Sequence, residues 1–430
     1  MLAALAVIGA ILLSSLQPSS INQEVGSESP GATSDNGNGE RSSLPPETIE
    51  LSEDVYETAY GRSGALQGKF FTATDFRRFN LDLPERVKFR ADLRLSELSA
   101  LLAPDNIPSI DTPKYESVID ADEWLEDVDI VLTVVHEGLA RAYPTRILNW
   151  HEIVNDQFGD VPVSITFCPL CNSGIIFVRP EINGARPEFG TSGRVYRSDL
   201  VMYDRETLTF WSQIEGRPIV GPFVGEWGRL EQIPAGMTQW GLWKEAYPNS
   251  DVLSRPTTDL RLGGSEPLTS SENATIFSRQ YNINPYAAYI TDNGDTFGTP
   301  FSDHRLPAKA DVVGIRFGDA LAKAYVKESV QTERLINDQL GSHAVLVLWD
   351  EASGDVLFYD RKLNGEILEF ALVESELVDK LTNSLWDQSG TAIEGPMADD
   401  NAVLEPIPGM TTFWFAWFNF HPHTELFVIP

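Results

Sequence analysis

"GLARAYPTRILNWHEIVNDQFGDVPVSITF" at residues 138–167 is echoed by "ALAKAYVKESVQTERLINDQLGSHAVLVLW" at 320–349. Ala142-Tyr143 falls on Ala324-Tyr325, and Asn155-Asp156-Gln157 falls on Asn337-Asp338-Gln339. Further along, "WSQIEGRPIVGP" from Trp211 is answered by "WDQSGTAIEGP" from Trp386. "LEQIPAGMTQWGLWKEAYP" (230–248) is answered by "LEPIPGMTTFWFAWFNFHP" (404–422). The matches keep their order at a nearly constant offset, which is the signature of a duplicated unit. Each half alternates short β-branched or aromatic runs, such as "DIVLTVV", "GIIFV" and "LTFWSQ", with turn residues. That spacing predicts antiparallel sheet with short helices rather than a parallel α/β fold. The expected architecture is α+β: two β-rich repeats of one antiparallel-sheet domain in a pseudo-twofold arrangement.

Two helices are expected. One lies within "PTRILNWHEIVNDQFG", where Ile147, Trp150 and Val154 recur at three- and four-residue intervals and His151 shares the inward face. The other covers "MTQWGLWKEAYP" and ends at Pro248. Trp240, Trp243, Trp414 and Trp417 have the spacing of core residues.

The flanks read differently. Leu2–Leu13 is one apolar run, too short for the ~20 residues of a spanning helix but of signal-peptide length. Residues 1–16 are therefore expected to be a signal peptide or N-terminal anchor. Residues 17–50, rich in Ser, Gly, Asn, Glu and Pro, are expected to be a disordered linker. An N-terminal extension (51–104), the first repeat (105–260), a linker (261–279) and a second, degenerate repeat (280–430) come after it. Export to the cell envelope or beyond is the expectation. The formal charge of −31 argues against nucleic acid and anionic membrane surfaces as partners.

Chemistry concentrates in "VSITFCPLCNSGIIFV" (163–178), which holds the only two cysteines, Cys168 and Cys171. The second half has Asp350 where the first has Cys168, and Glu333 where it has His151. Function is therefore expected in the first half. A thioredoxin-like site needs the Cys-x-x-Cys at a helix start, and here a strand pattern comes next. A Cys-Pro-x-Cys turn between strands suits a metal knuckle for zinc or Cu(I), with Cys168, Cys171 and His151 as candidate ligands. With no second cysteine pair, other ligands must be His, Asp or Glu. Two alternatives stay open. One is nucleophilic or thiol–disulfide chemistry with Cys168 as nucleophile and His151 as base, where Glu152 could orient the ring. The other is an extracellular binding module in which a Cys168–Cys171 disulfide only shapes the loop; so short a loop gives little entropic stabilisation. Arg194, Ser198, Asp204 and Arg205 are candidate substrate-binding residues on the same cleft, with Arg197 and Asp199 beside them.

The stretches "DNIPSIDTPKY", "ARAYPTRILNWHEIVND", "CPLCNSGIIF", "FGTSGRVYRSDLVMYDRETLTFWSQIEGRPIVGP" and "YAAYITDNG" resemble the family called domain of unknown function 3179 over about residues 70–430. The resemblance implies a mostly exported or membrane-tethered bacterial or archaeal protein and supplies no activity. It draws attention to Cys168, Pro169 and Leu170 as the family's Cys-Pro-Leu core. Many members carry a different residue at the position of Cys171, so a mechanism needing both cysteines would not describe them all.

Overall fold

The β-branched and aromatic runs form strands wherever turn residues bound them, and the computed structural model is β-rich with a few short helices, an α+β fold. It describes residues 46–50, 52, 60, 81–82, 84–94, 97–255, 281–292 and 298–429. The apolar run at 1–16, the polar stretch up to 45 and the linker at 261–279 lie outside the described residues. No helix among the described residues is long and apolar enough to cross a membrane.

In the first half, Ile130–His136 and Leu139–Pro144 form a hairpin that leads into the helix Thr145–His151. Ile153–Phe158, Val161–Cys168 and Ser173–Val178 then form a meander, with Gln232–Ile233 on its far edge. After Asp311 the same order returns. Asp311–Phe317, Leu321–Val326, helix Lys327–Glu333, Leu335–Leu340, His343–Asp350 and Asp355–Asp360 have lengths of 7, 6, 7, 6, 8 and 6 residues, matching the first series element for element. Gly236–Gln239 and Met410–Phe413 each flank their hairpin antiparallel, and Asp251–Leu253 and Glu425–Phe427 each join it parallel.

Polar anchors recur as well. Asn155 exchanges hydrogen bonds with the Phe189 backbone, and Asn337 does so with Phe370. Both are clamps between strands of different sheets. Trp211 Nε1 donates to Asp204, as Trp386 Nε1 does to Asp379. The halves also grip each other. Thr412 Oγ1 donates to the Cys171 carbonyl (2.9 Å), and Thr238 Oγ1 donates to the Ser353 carbonyl. The four tryptophans read as core are all buried to within 1%.

Two local expectations change. The helix ends at His151 because Glu152 turns to φ +57, and Val154 lies in a strand. The residues around 47–50 are not part of a linker: Glu47–Glu50 pairs antiparallel with Arg86–Phe89, Ile49 opposite Val87, at the edge of a seven-stranded sheet.

Asp156 shows how the sheet ends are held. Its buried carboxylate accepts from Tyr115, Tyr143 and Arg141 Nη1 (2.8 Å). Asp156→Ala removes the buried partner of Arg141, leaving it only the more exposed Asp251 at 3.4 Å, and is expected to lower unfolding free energy by about 3 kcal/mol, measured by chemical denaturation.

Candidate functional site

Cys168 ends one strand and pairs in register with Ser173, the first residue of the next. Between them the chain turns through Asn172 at φ +50, and the Cys171 amide donates to the Cys168 carbonyl (3.2 Å). Both thiols therefore leave the turn on one side. They are free and buried.

Facing them is a second turn, Arg197-Ser198, between Phe189–Tyr196 and Asp199–Asp204. Both of its residues have positive φ (53° and 69°), the two-residue geometry that matches strand twist. This turn points the Ser198 carbonyl at the thiols, 3.3 Å from Cys171 Sγ and 3.9 Å from Cys168 Sγ. Asp199, the next residue, is fully buried. Its Oδ2 accepts from the Ile214 amide (2.9 Å), while its Oδ1 meets no donor in hydrogen-bond geometry among the described residues. The two sulfurs and a carboxylate oxygen of Asp199 all lie within 4.8 Å of one another. A tetrahedral ion with sulfur ligands at ~2.3 Å would bring its ligand atoms to roughly 3.8 Å apart, so little movement is needed.

A second carboxylate stands behind. The left-handed backbone at Glu152 ends the helix and buries its side chain, which accepts from the Tyr286 hydroxyl (3.4 Å). Tyr286 and Tyr289 belong to the short segment around helix Ala287–Thr291 and lie close enough to feel charge on Cys168. The Tyr289 hydroxyl has no hydrogen-bond partner among the described residues.

Burial dominates the electrostatics. It pushes both thiols up, Asp199 to about 7 and Glu152 to about 8. The remaining influences on these four groups come from hydrogen bonds and from one another's negative charge. Low dielectric disfavours each anion, and each anion formed disfavours the next.

The sequence candidates separate on this geometry. Cys168, Cys171 and the Ser198 backbone meet. His151 does not join the converging ligand atoms: its Nδ1 lies 2.8 Å from the Pro108 carbonyl and its Nε2 2.8 Å from the Tyr281 hydroxyl. Burial lowers its pKa to about 4, so the ring is neutral. A carbonyl can only accept, so Nδ1 carries the proton and Nε2 accepts from Tyr281. Successive helical residues point about 100° apart, and it is Glu152 that turns toward the cysteines. Asp204 and Arg205 lie at the far end of their strand, five steps and roughly 17 Å from Asp199. There Asp204 binds Thr207 and Trp211, and Arg205 binds Asp105, Asp111 and Glu188. Arg194 is buried with its guanidinium 5.7 Å over the Phe210 ring, and burial lowers it to about 10. Asp199 was visible only as one charge among several on that stretch, and Tyr286 and Tyr289 only as letters in "YAAYITDNG".

A family model described as "Protein of unknown function (DUF3179)" matches residues 104–424, and the chain belongs to that family. The match spans both halves and every residue of the cysteine cluster. No curated protein and no solved structure matches the chain.

The raised acids make a signed prediction. Asp199 and Glu152 hold protons in the folded chain that the unfolded chain releases near pH 4, so their contribution is full below pH 4 and lost as pH rises through about 7 and 8. Metal-free protein is therefore expected to lose stability between pH 5 and pH 8, and Asp199→Asn to flatten that slope. Urea midpoints across this range check it.

Proposed function

We propose that this family member binds one thiophilic metal ion, zinc or copper(I), through Cys168, Cys171 and Asp199. The observation that carries the reading is the convergence of three potential ligand atoms within 4.8 Å, all on buried residues. Two thiolates and a carboxylate there are costly without a cation and favourable around one. Soft sulfur selects zinc or copper over magnesium or calcium. Three protein ligands leave a fourth position, which in zinc sites is taken by another side chain or by water. Glu152, held by Tyr286, stands nearest to that role, either as a ligand or as a proton acceptor for bound water. His151 serves the packing of the helix end.

Catalytic or redox use of the bound ion is a consequence to test, beside cysteine nucleophile or thiol–disulfide chemistry. The electrostatics favour the metal: a reactive thiol needs a lowered pKa, and burial raises both of these. A disulfide serving only to shape the loop is opposed by the free state of both cysteines.

We also infer that residues 105–260 and 280–430 are two copies of one domain around a pseudo-twofold axis. The matched element lengths, the paired Asn and Trp anchors and the reciprocal threonine bonds support it. The chain is further inferred to be exported, with the apolar run at 2–13 as leader or anchor. Amino-terminal sequencing of protein recovered from the envelope or medium should find that run removed, or the chain retained in membranes.

Protein purified without chelator is expected to carry about one zinc or copper per chain by elemental analysis. Cys168→Ser, Cys171→Ser and Asp199→Asn should each lose it, whereas His151→Ala, though less stable, should keep it. Removing an ion held at a thousand times its Kd should cost about 4 kcal/mol of stability. Metal-free wild-type protein with rapidly titrating thiols would overturn the reading in favour of thiol chemistry.

A further inference from the structure

The hairpin His343–Asp350/Asp355–Asp360 ends with Asp350 opposite Asp355, in the register that Cys168 and Ser173 hold in the first half. Where the first turn offers sulfur, this one offers oxygen. It opens on a cleft of about 370 Å³ between the two halves, within the range of small-ligand pockets.

Asp355 lines this cleft and is 5% exposed. Its Oδ2 accepts from Thr133 Oγ1 (2.9 Å), while Oδ1 has no partner in hydrogen-bond geometry among the described residues. Asp350 is satisfied within its own turn by the Ala352 amide and Ser353 hydroxyl. Burial and, less strongly, the neighbouring Asp350 charge raise Asp355 to about 6, opposed by Lys327, by Thr133 and by a hydrogen bond from the Met237 backbone. Lys327 is committed elsewhere, donating to the Met237 carbonyl (2.6 Å), and no lysine or arginine among the described residues lines the cleft. Two tyrosines line the same cleft: Tyr247, stacked on Trp243 at 4.2 Å, and Tyr359, whose hydroxyl donates to the Gln388 carbonyl. Leu357 and Ile407 add apolar wall. A buried, half-satisfied carboxylate beside aromatic rings, with no lysine or arginine in the wall, matches the recognition of an alkylammonium group by charge and cation–π attraction.

We propose that this cleft binds a small organic cation, its ammonium group on Asp355 and its apolar body against Tyr247, Tyr359 and Leu357. Gly236 makes the arrangement possible. A Cβ there would fall 2.2–2.5 Å from the Asp355 carboxylate, so only glycine lets strand and carboxylate meet. The proposal stands independently of the metal site.

The test is calorimetric titration of the full-length chain with n-butylammonium and tetramethylammonium, and with n-butanol as the neutral control. The cations should bind saturably at millimolar Kd, with butanol at least about tenfold weaker, a difference of ~1.4 kcal/mol. Asp355→Asn should lower cation affinity by about tenfold or more. Gly236→Ala should do the same by displacing the carboxylate, and Tyr247→Ala by about fivefold through the lost ring face. Each variant is scored only with a cooperative unfolding transition, and three variants keep the test alive if one fails to fold. Absence of saturable cation binding, equal binding of butanol, or undiminished affinity in folded Asp355→Asn protein would overturn the proposal.

Discussion

The Cys171 carbonyl is the point on which the two halves and the candidate site jointly depend. It accepts from the Phe413 amide (2.8 Å) and from Thr412 Oγ1 (2.9 Å), both in the other half. A carbonyl has two lone pairs, and both are engaged in a buried place where leaving either unpaired would be costly. The turn can therefore take up few other orientations. With the backbone pinned from one side, both sulfurs face the Arg197-Ser198 turn and Asp199 on the other. Thiol placement is thus a by-product of how the halves dock. The carbonyl of Ser353 receives Thr238 in the reciprocal contact, so the second turn is fixed by the same device.

That fixed geometry gives the acidic cluster its character. The chain carries −31 overall, and a charge on the surface is screened by water. Cys168, Cys171, Asp199 and Glu152 are shielded from bulk solvent, so these groups compete to remain neutral. Arg141–Asp156 and Arg205 with its three carboxylates show that this protein does pair buried charges with arginine where the pairing is structural. The cysteine cluster is built on a different plan, with its nearest polar partners being a carbonyl, an amide and two tyrosines.

Much of the scaffold was legible because it rests on local pattern. The strand after Cys171 is written in "SGIIFV", and the internal echo marks Asn155, Asp156 and Trp211 as anchors whose hydrogen bonds recur. Other features depend on geometry that periodicity does not carry. Ile147, Trp150 and Val154 keep helical spacing straight through Glu152, whose left-handed backbone breaks the helix and redirects the chain into the strand Ile153–Phe158. His151 was correctly read as facing inward, but the chain has several cores, and the one it faces contains Tyr281 rather than the cysteines. Asp199 reaches Cys168 across 31 residues through a turn made by Arg197 and Ser198, both non-glycine residues at positive φ. No propensity scale flags that pairing. Tyr286 and Tyr289 come from beyond a 25-residue gap in the described chain (256–280) and could not be placed by spacing at all.

The two hairpin ends show how two series of matching element lengths can carry different side chains at their turns. Strand lengths, the Asn clamp, the Trp–Asp bond and the threonine contact are fixed by packing, and changing any of them disturbs a core. The side chains at the turn are not so constrained, since their carbonyl carries the docking contact. Replacing Cys168 and Cys171 by Asp350 and Ser353 therefore alters chemistry while sparing the fold. Soft, polarisable sulfur gives way to hard oxygen, and a buried cluster to a cleft lined by Tyr247 and Tyr359. Docking through the backbone frees the side chains to differ, and that is why matching turns can present sulfur on one side of the interface and oxygen on the other.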